Sequence, residues 1–182
     1  LDSDKDGTSN QNEILAKSNP GDKRSTPSKK GQWLDLSSLI PKAVQDRFPT
    51  AQAWKPLDTI LSEKDIEKAK SMGVVLGAED ENTIYIPVSN QRPIGTGIIF
   101  PAEFEGKTFF LIMTTDRLLN FSDVSILNVG EAPVMPNDAL FESWSGQAIH
   151  TLKSNNTQTL VGSISQAVKK AGVLVYLRLK GV

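Results

Sequence analysis

The chain has 182 residues, with 20 lysines and arginines against 21 aspartates and glutamates, a net charge of −1 that offers neither a nucleic-acid surface nor a polybasic membrane patch. Cysteine is absent and histidine occurs once, which removes disulfides, thiolate catalysis and zinc–thiolate sites and leaves little scope for triad chemistry. No apolar run approaches the ~18 residues of a membrane span, and the length suits one cored domain with an appendage.

The chain opens on "DSDKDGTSNQNE". Calcium takes its oxygen ligands from positions 1, 3, 5, 7, 9 and 12 of an EF-hand loop, with glycine at position 6 for the sharp turn. Asp2, Asp4, Asp6, Gly7, Thr8, Asn10 and Glu13 fall on positions 1, 3, 5, 6, 7, 9 and 12. Thr8 would supply its backbone carbonyl, Asn10 a direct or water-mediated oxygen, and Glu13 both carboxylate oxygens. Four carboxylates drawn together without a cation would repel one another, so the spacing predicts a calcium site. Only Leu1 precedes the loop here, so the paired helices of an ordinary regulatory EF-hand are not expected. The segment "DSDKDGTSNQNEILAKSNPGDKRS" resembles bacterial thrombospondin type 3 and related EF-hand-like loops. That resemblance implies a calcium-stiffened spacer in an exported protein, periplasmic or at the cell surface, where calcium is plentiful and low affinity suffices.

Next, "PGDKRSTPSKKGQ" combines prolines, glycines and basic residues with no apolar group, which marks connecting chain. The expected organisation is a calcium loop at 1–25, a linker at 26–32 and an α+β domain at 33–182. In "SSLIPKAVQDRFP", Leu39, Ala43, Val44 and Phe48 recur at helical spacing and Pro49 stops the helix. A second helix follows in "SEKDIEKAKSMG", with Ser62 as N-cap, Asp65 three residues on and Gly73 past the end. Strands are expected at 83–88, 94–100, 108–115 and 123–130, joined by loops short enough for an antiparallel meander covered by helices. "FFLIM" is apolar on both faces and belongs in the middle of that sheet. Within "IGTGIIF", Gly95 and Gly97 share one face and leave it bare, room for a helix or for a planar ligand. Toward the C-terminus, Val161, Ile164, Val168, Ala171 and Val175 form one apolar stripe. It predicts a single helix running through Gly172 to about Leu177, although β-branched residues beyond that glycine would suit a strand.

"RFPTAQAWKPLDTILSEKDIEKA", "DVSILNVGEAPVMPNDALFESWSGQA" and "TLVGSISQAVKKAGVLVYLRL" together resemble the FMN-binding domain family of respiratory flavin subunits, over residues 36 to 178. Glu131, Ala132 and Pro133 match the family's E-x-P turn, and Phe141, Trp144 and Gly146 its following helix. Flavin-bearing members attach FMN to the threonine of an S/T-G-A-T motif. Here Gly162 and Ser163 replace its Ala-Thr pair, Val161 replaces its glycine, and Gln158 or Thr157 stands where the upstream acidic residue belongs. The resemblance therefore implies two alternatives. One is a noncatalytic accessory or interaction module of an exported electron-transfer protein. The other is a flavin carrier holding FMN near Ser163, Gly95, Gly97 and Glu131. Expected partners are another redox protein or the remainder of a longer polypeptide. Trp33, Trp54 and Trp144 read as packing anchors, His150 as a rim residue, and Ser163 and Ser165 lack a base for hydrolase chemistry.

Overall fold

Strand alternation and helix capping shape the chain, which a computed structural model describes at residues 2, 3, 5, 7–16, 40–127, 139–153 and 158–180. Contacts divide it into two units, Leu1–Leu39 and Ile40–Val182. In the first unit the described chain winds through a turn into helix α1 (Asn10–Ala16). The proposed linker at 26–32, Trp33, Asp4 and Asp6 lie outside the described residues.

The second unit is α+β: a six-stranded antiparallel sheet with a long C-terminal helix packed on it. Its strands are β1 (Ala53–Asp58), β2 (Thr83–Ser89), β3 (Arg92–Pro93), β4 (Gly95–Phe104), β5 (Lys107–Asp116) and β6 (Phe121–Ile126). The spatial order is β1-β2-β4-β5-β6, with β3 paired to β2. The meander is thus the predicted one with changed bounds. "PAEFEGK" is not a loop: β4 runs on to Phe104, and the turn shrinks to Glu105 and Gly106 at φ 49° and 74°. Such paired left-handed residues match the twist of a tight hairpin, and Ala102 keeps the inward alternation beyond Pro101. Asn90 and Gln91 make a second turn of the same kind. Strand β1 was not foreseen, because "AWKPLD" carries Lys55 and Pro56, which only an edge strand accommodates. The end of the fourth expected strand, 128–130, lies outside the described residues.

Alternation separates two apolar layers. Ile98, Phe100 and Ala102 of β4 and Phe109, Leu111 and Met113 of β5 face the main core, with Ile84, Val124 and the helices. Thr96 and Thr115, opposite each other in β4 and β5, satisfy one another's buried hydroxyls at 2.7 Å. The opposite face holds a smaller cluster in which Ile112 meets Ile40 and Val44, with Phe48, Trp54 and Tyr85 beside them. Helices do not cover that face fully: Phe110 is 41% exposed. It carries α2 (Lys42–Gln45), far shorter than its sequence stretch because Pro41 bounds it. Arg47 ties the turn after α2 to β6, donating to Asp123 at 3.0 Å, to the Ala43 carbonyl at 3.0 Å and to the Ser125 hydroxyl.

Helix α3 (Glu63–Ser71) starts as expected. Ser62 accepts from the Asp65 N–H at 3.3 Å while the Asp65 carboxylate accepts from Ser62 N–H at 2.9 Å, a reciprocal box. Gly73, at φ 74°, follows its end. The short helix α4 (Ala139–Glu142) precedes Trp144, whose ring is buried against Phe121 and Phe141 at centroid distances of 6.2 and 5.8 Å. Helix α5 (Leu160–Leu179) is continuous through Gly172. An added Cβ at Gly172 would stand 2.6 Å from the Ile149 carbonyl oxygen, so this glycine lets α5 seat directly on the 3-10 turn Ile149–Thr151. Among the described residues no helix is long and apolar enough to cross a membrane.

Candidate functional site

Three places collect the residues that the sequence singles out. At the N-terminal loop, Asp2 sits where its two carboxylate oxygens accept from the Lys5 N–H at 2.8 Å and the Gly7 N–H at 3.0 Å. Gly7, at φ 95°, supplies the left-handed turn that most side chains resist. Asn10 closes the ring: its Oδ1 accepts from Ser3 N–H at 2.9 Å and its Nδ2 donates to the Ser3 hydroxyl at 2.8 Å. Helix α1 then begins, with Glu13 in its second turn. Positions 1, 6 and 9 of the motif are therefore gathered by one wound turn, and each carboxylate oxygen of Asp2 keeps a second lone pair for a cation. Thr8 lies within the same turn. Asp4, Asp6 and the Glu13 side chain lie outside the described residues, and among the described residues no three acidic or imidazole side chains converge. The donor set, all oxygen, suits a hard cation such as calcium.

The second place is the pair of glycines in β4. The bare face they create is filled by helix side chains: a Cβ on Gly97 would meet Val44 Cγ1 at 2.9 Å, and one on Gly95 would meet the Thr115 carbonyl oxygen at 2.2 Å and Phe48 at 3.0 Å. The close partner of Gly97 is thus the α2 segment, whose side chains make the approach, whereas Gly95 is hemmed in first by the Thr115 carbonyl of β5 and then by Phe48.

The third is a cleft of about 480 Å³ where β2 parts from β4. Tyr85 pairs with Gly97, but two residues further along the Asn82 side chain takes the strand's place, its Nδ2 donating to the Ile99 carbonyl at 2.5 Å. Thr59 fixes Asn82 from behind, accepting from its N–H at 2.7 Å and donating to its carbonyl at 2.6 Å. The chain before Asn82 forms a 3-10 turn, Ala78–Asp80, and α5 closes the far wall. Lys170 of α5 reaches across to Asp80 at 3.0 Å. Glu79, Glu81 and Glu103 are the other charged groups of the lining, and the buried Ile98, Phe100 and Leu174 form its floor.

Ser163 lines this cleft. The degenerate motif is the start of α5: Thr159 is its N-cap, accepting from Gly162 N–H at 3.0 Å, and Ser163 N–H donates to the Thr159 carbonyl at 2.9 Å. Ser165 is buried and donates back to the Val161 carbonyl at 2.8 Å, the ordinary behaviour of a helical serine. The single histidine is remote. His150 stacks on Tyr176 with ring centroids 4.2 Å apart, thirteen residues and about 20 Å along α5 from Ser163. Its Nδ1 is buried and finds no hydrogen-bond partner among the described residues.

Of the residues grouped as a flavin site, Gly95 and Gly97 are not brought together with Ser163. Gly95 and Gly97 open toward α2, Ser163 lies on the α5 side, and Glu131 is outside the described residues. Alternation along β4 sets the glycines opposite the face that Ile98 and Phe100 turn to α5, so one planar group cannot touch both. Sequence reasoning missed the cleft itself, whose only local signals were the small residues Ser163, Ala167 and Ala171 at four-residue spacing. Compared with protein-family models, with curated proteins and with solved structures, the chain matches none.

Proposed function

We propose that this chain is a calcium-binding, noncatalytic interaction module of an exported redox protein: its N-terminal loop takes a calcium ion, and its α+β domain engages a partner. The observation that carries the reading is the agreement between ligand spacing and backbone winding at residues 2–13. Gly7 at φ 95° and the Asp2 and Asn10 hydrogen bonds set motif positions 1, 6 and 9 around one turn. The all-oxygen donor types give calcium its preferred ligands, and a surface-exposed site of this kind works where calcium is abundant. Binding stabilises the folded loop by mass action, about 2.7 kcal/mol at roughly a hundredfold excess over Kd. Calorimetric titration of the full chain tests it. Heat is expected at calcium on the order of millimolar or below, and it should vanish in Glu13→Gln, which loses bidentate coordination. Absence of heat in the unaltered protein would sink the calcium reading.

One observation favours a second reading, a flavin carrier: Ser163 borders an apolar-floored cleft, and its hydroxyl is the group an FMN phosphoester would use. Protein made alongside a flavin transferase should then be yellow, and Ser163→Ala colourless. The altered motif, and the carboxylates around the cleft that would repel a phosphate, favour the first reading, under which both proteins stay colourless.

A further inference from the structure

Resting on the interaction-module reading, we infer that the cleft between β4 and α5 is a docking groove for an extended polypeptide segment that carries lysine or arginine next to apolar residues. The shape argues for a chain rather than a compact ligand. From Ser163 to Leu174 the α5 wall runs about 16 Å, the length of about five extended residues. Ser163, Ala167 and Ala171 present short side chains along that wall, and the opposite wall is a strand edge. Beyond Ile99 no strand among the described residues pairs with this side of β4.

The edge is guarded. Opposite Phe110, whose carbonyl accepts from the N–H of Leu127 just past β6 at 2.8 Å, Pro101 directs its backbone toward the groove and has no N–H to give. The Ile99 carbonyl is already held by Asn82. A guest strand therefore gains few ladder bonds, which suppresses indiscriminate pairing and leaves side chains to select the guest. Their charge is one-sided: Glu79, Asp80, Glu81 and Glu103 against Lys170, which is itself committed to Asp80 at 3.0 Å. A basic guest side chain finds carboxylates on the turn before β2 and at the end of β4, while an acidic one meets repulsion. Because these groups are near solvent, they confer selectivity and association rate more than affinity. The apolar residues of the guest meet Pro101, Phe110 and Ala167, the lining apolar groups that keep exposed surface.

Amide spectra of the full chain, titrated with acetyl-Val-Lys-Val-Lys-Val-amide and with its glutamate counterpart, test the assignment. The lysine peptide should saturate and move Ile99, Ala102, Ala167 and Ala171, and the glutamate peptide should bind at least about tenfold more weakly. Ala167→Phe, which fills the groove, should abolish the shifts. The double variant Glu79→Gln with Glu103→Gln changes only exposed side chains, so it decides the matter even if Ala167→Phe does not fold; it should narrow the gap between the peptides about tenfold. No shift with the lysine peptide, equal binding of both peptides, shifts mapping elsewhere, or undiminished binding by the double variant would each overturn the proposal. Pentylamine binding as tightly as the peptide would replace it with a small-cation site. Repeating the titration with calcium and with chelator separates the two readings: peptide shifts that persist in a protein taking up no calcium remove the calcium assignment and keep the groove.

Discussion

Replacing Gly172 by alanine sets two effects of known sign against each other. In an isolated helix the change gains about 1 kcal/mol, since alanine loses less conformational freedom than glycine. In this protein the new Cβ would stand 2.6 Å from the Ile149 carbonyl oxygen and 3.2 Å from its carbon. A carbon–oxygen contact relaxes near about 3.3 Å, so α5 or the Ile149 turn must retreat by roughly 0.7 Å. The Ile149 side chain is fully buried and the adjoining Val173 and Leu174 are buried as well, which leaves no soft direction for that shift. Overpacking of this kind costs about 1–3 kcal/mol, and the balance is a net loss of about 0–2 kcal/mol. With about 2–4 °C of Tm per kcal/mol for a chain of this size, Gly172→Ala should melt up to about 8 °C lower, and Gly172→Val, which adds bulk without a comparable helix gain, lower still. Thermal unfolding followed by circular dichroism measures both. A rise of 2–4 °C for Gly172→Ala, the pure propensity result, would refute the close seating of α5 on the turn and with it the placement of the cleft's far wall.

Other expectations rest on separate features. The Ser62 hydroxyl and N–H, in that order, hold the Asp65 carboxyl below its usual range, against the opposing effect of burial and with help from Arg178. A depressed carboxylate contributes stability that is complete above the unfolded pKa near 3.8 and is lost as pH falls through the lower folded value. Ser62→Ala should therefore cost about 1 kcal/mol at neutral pH and flatten the acid limb of the stability curve; an unchanged limb in pH-dependent urea melts would contradict this origin. Gly97→Ala, forced onto Val44, should lose about 1–3 kcal/mol by the same urea titration with m unaltered, and Gly95→Ala more, because its obstacle is the Thr115 backbone. A neutral Gly97→Ala would mean the α2 segment does not press on the sheet. His150→Phe keeps the ring over Tyr176 and removes a buried nitrogen that has no partner among the described residues, so it should stabilise by about 1 kcal/mol; destabilisation would show that Nδ1 has a partner.

What the chain's local chemistry determined is whatever lies within a few residues of its cause. The box of Ser62 and Asp65 with Gly73 beyond it spans twelve residues and defines α3 without help from the fold. The apolar stripe from Ile164 to Val175 outweighs the β-branched run after Gly172, because burial on one face repays a single interior glycine, although Val161, expected in that stripe, is exposed. Alternation likewise put Gly95 and Gly97 on one face, and the spacing from Asp2 to Asn10 anticipated a wound turn. Tertiary structure alone decided which layer meets which face. Nothing local says that α2 covers the glycines while α5 covers Ile98 and Phe100, so Gly95 and Gly97 lie on the side of the sheet away from Ser163. Strand β1 was silent because an edge strand needs little apolar pattern and tolerates Pro56. The cleft was silent too: it exists because β2 departs from β4 beyond Ile99, and strand register is a property of partners distant in sequence, not of any residue that lines the gap.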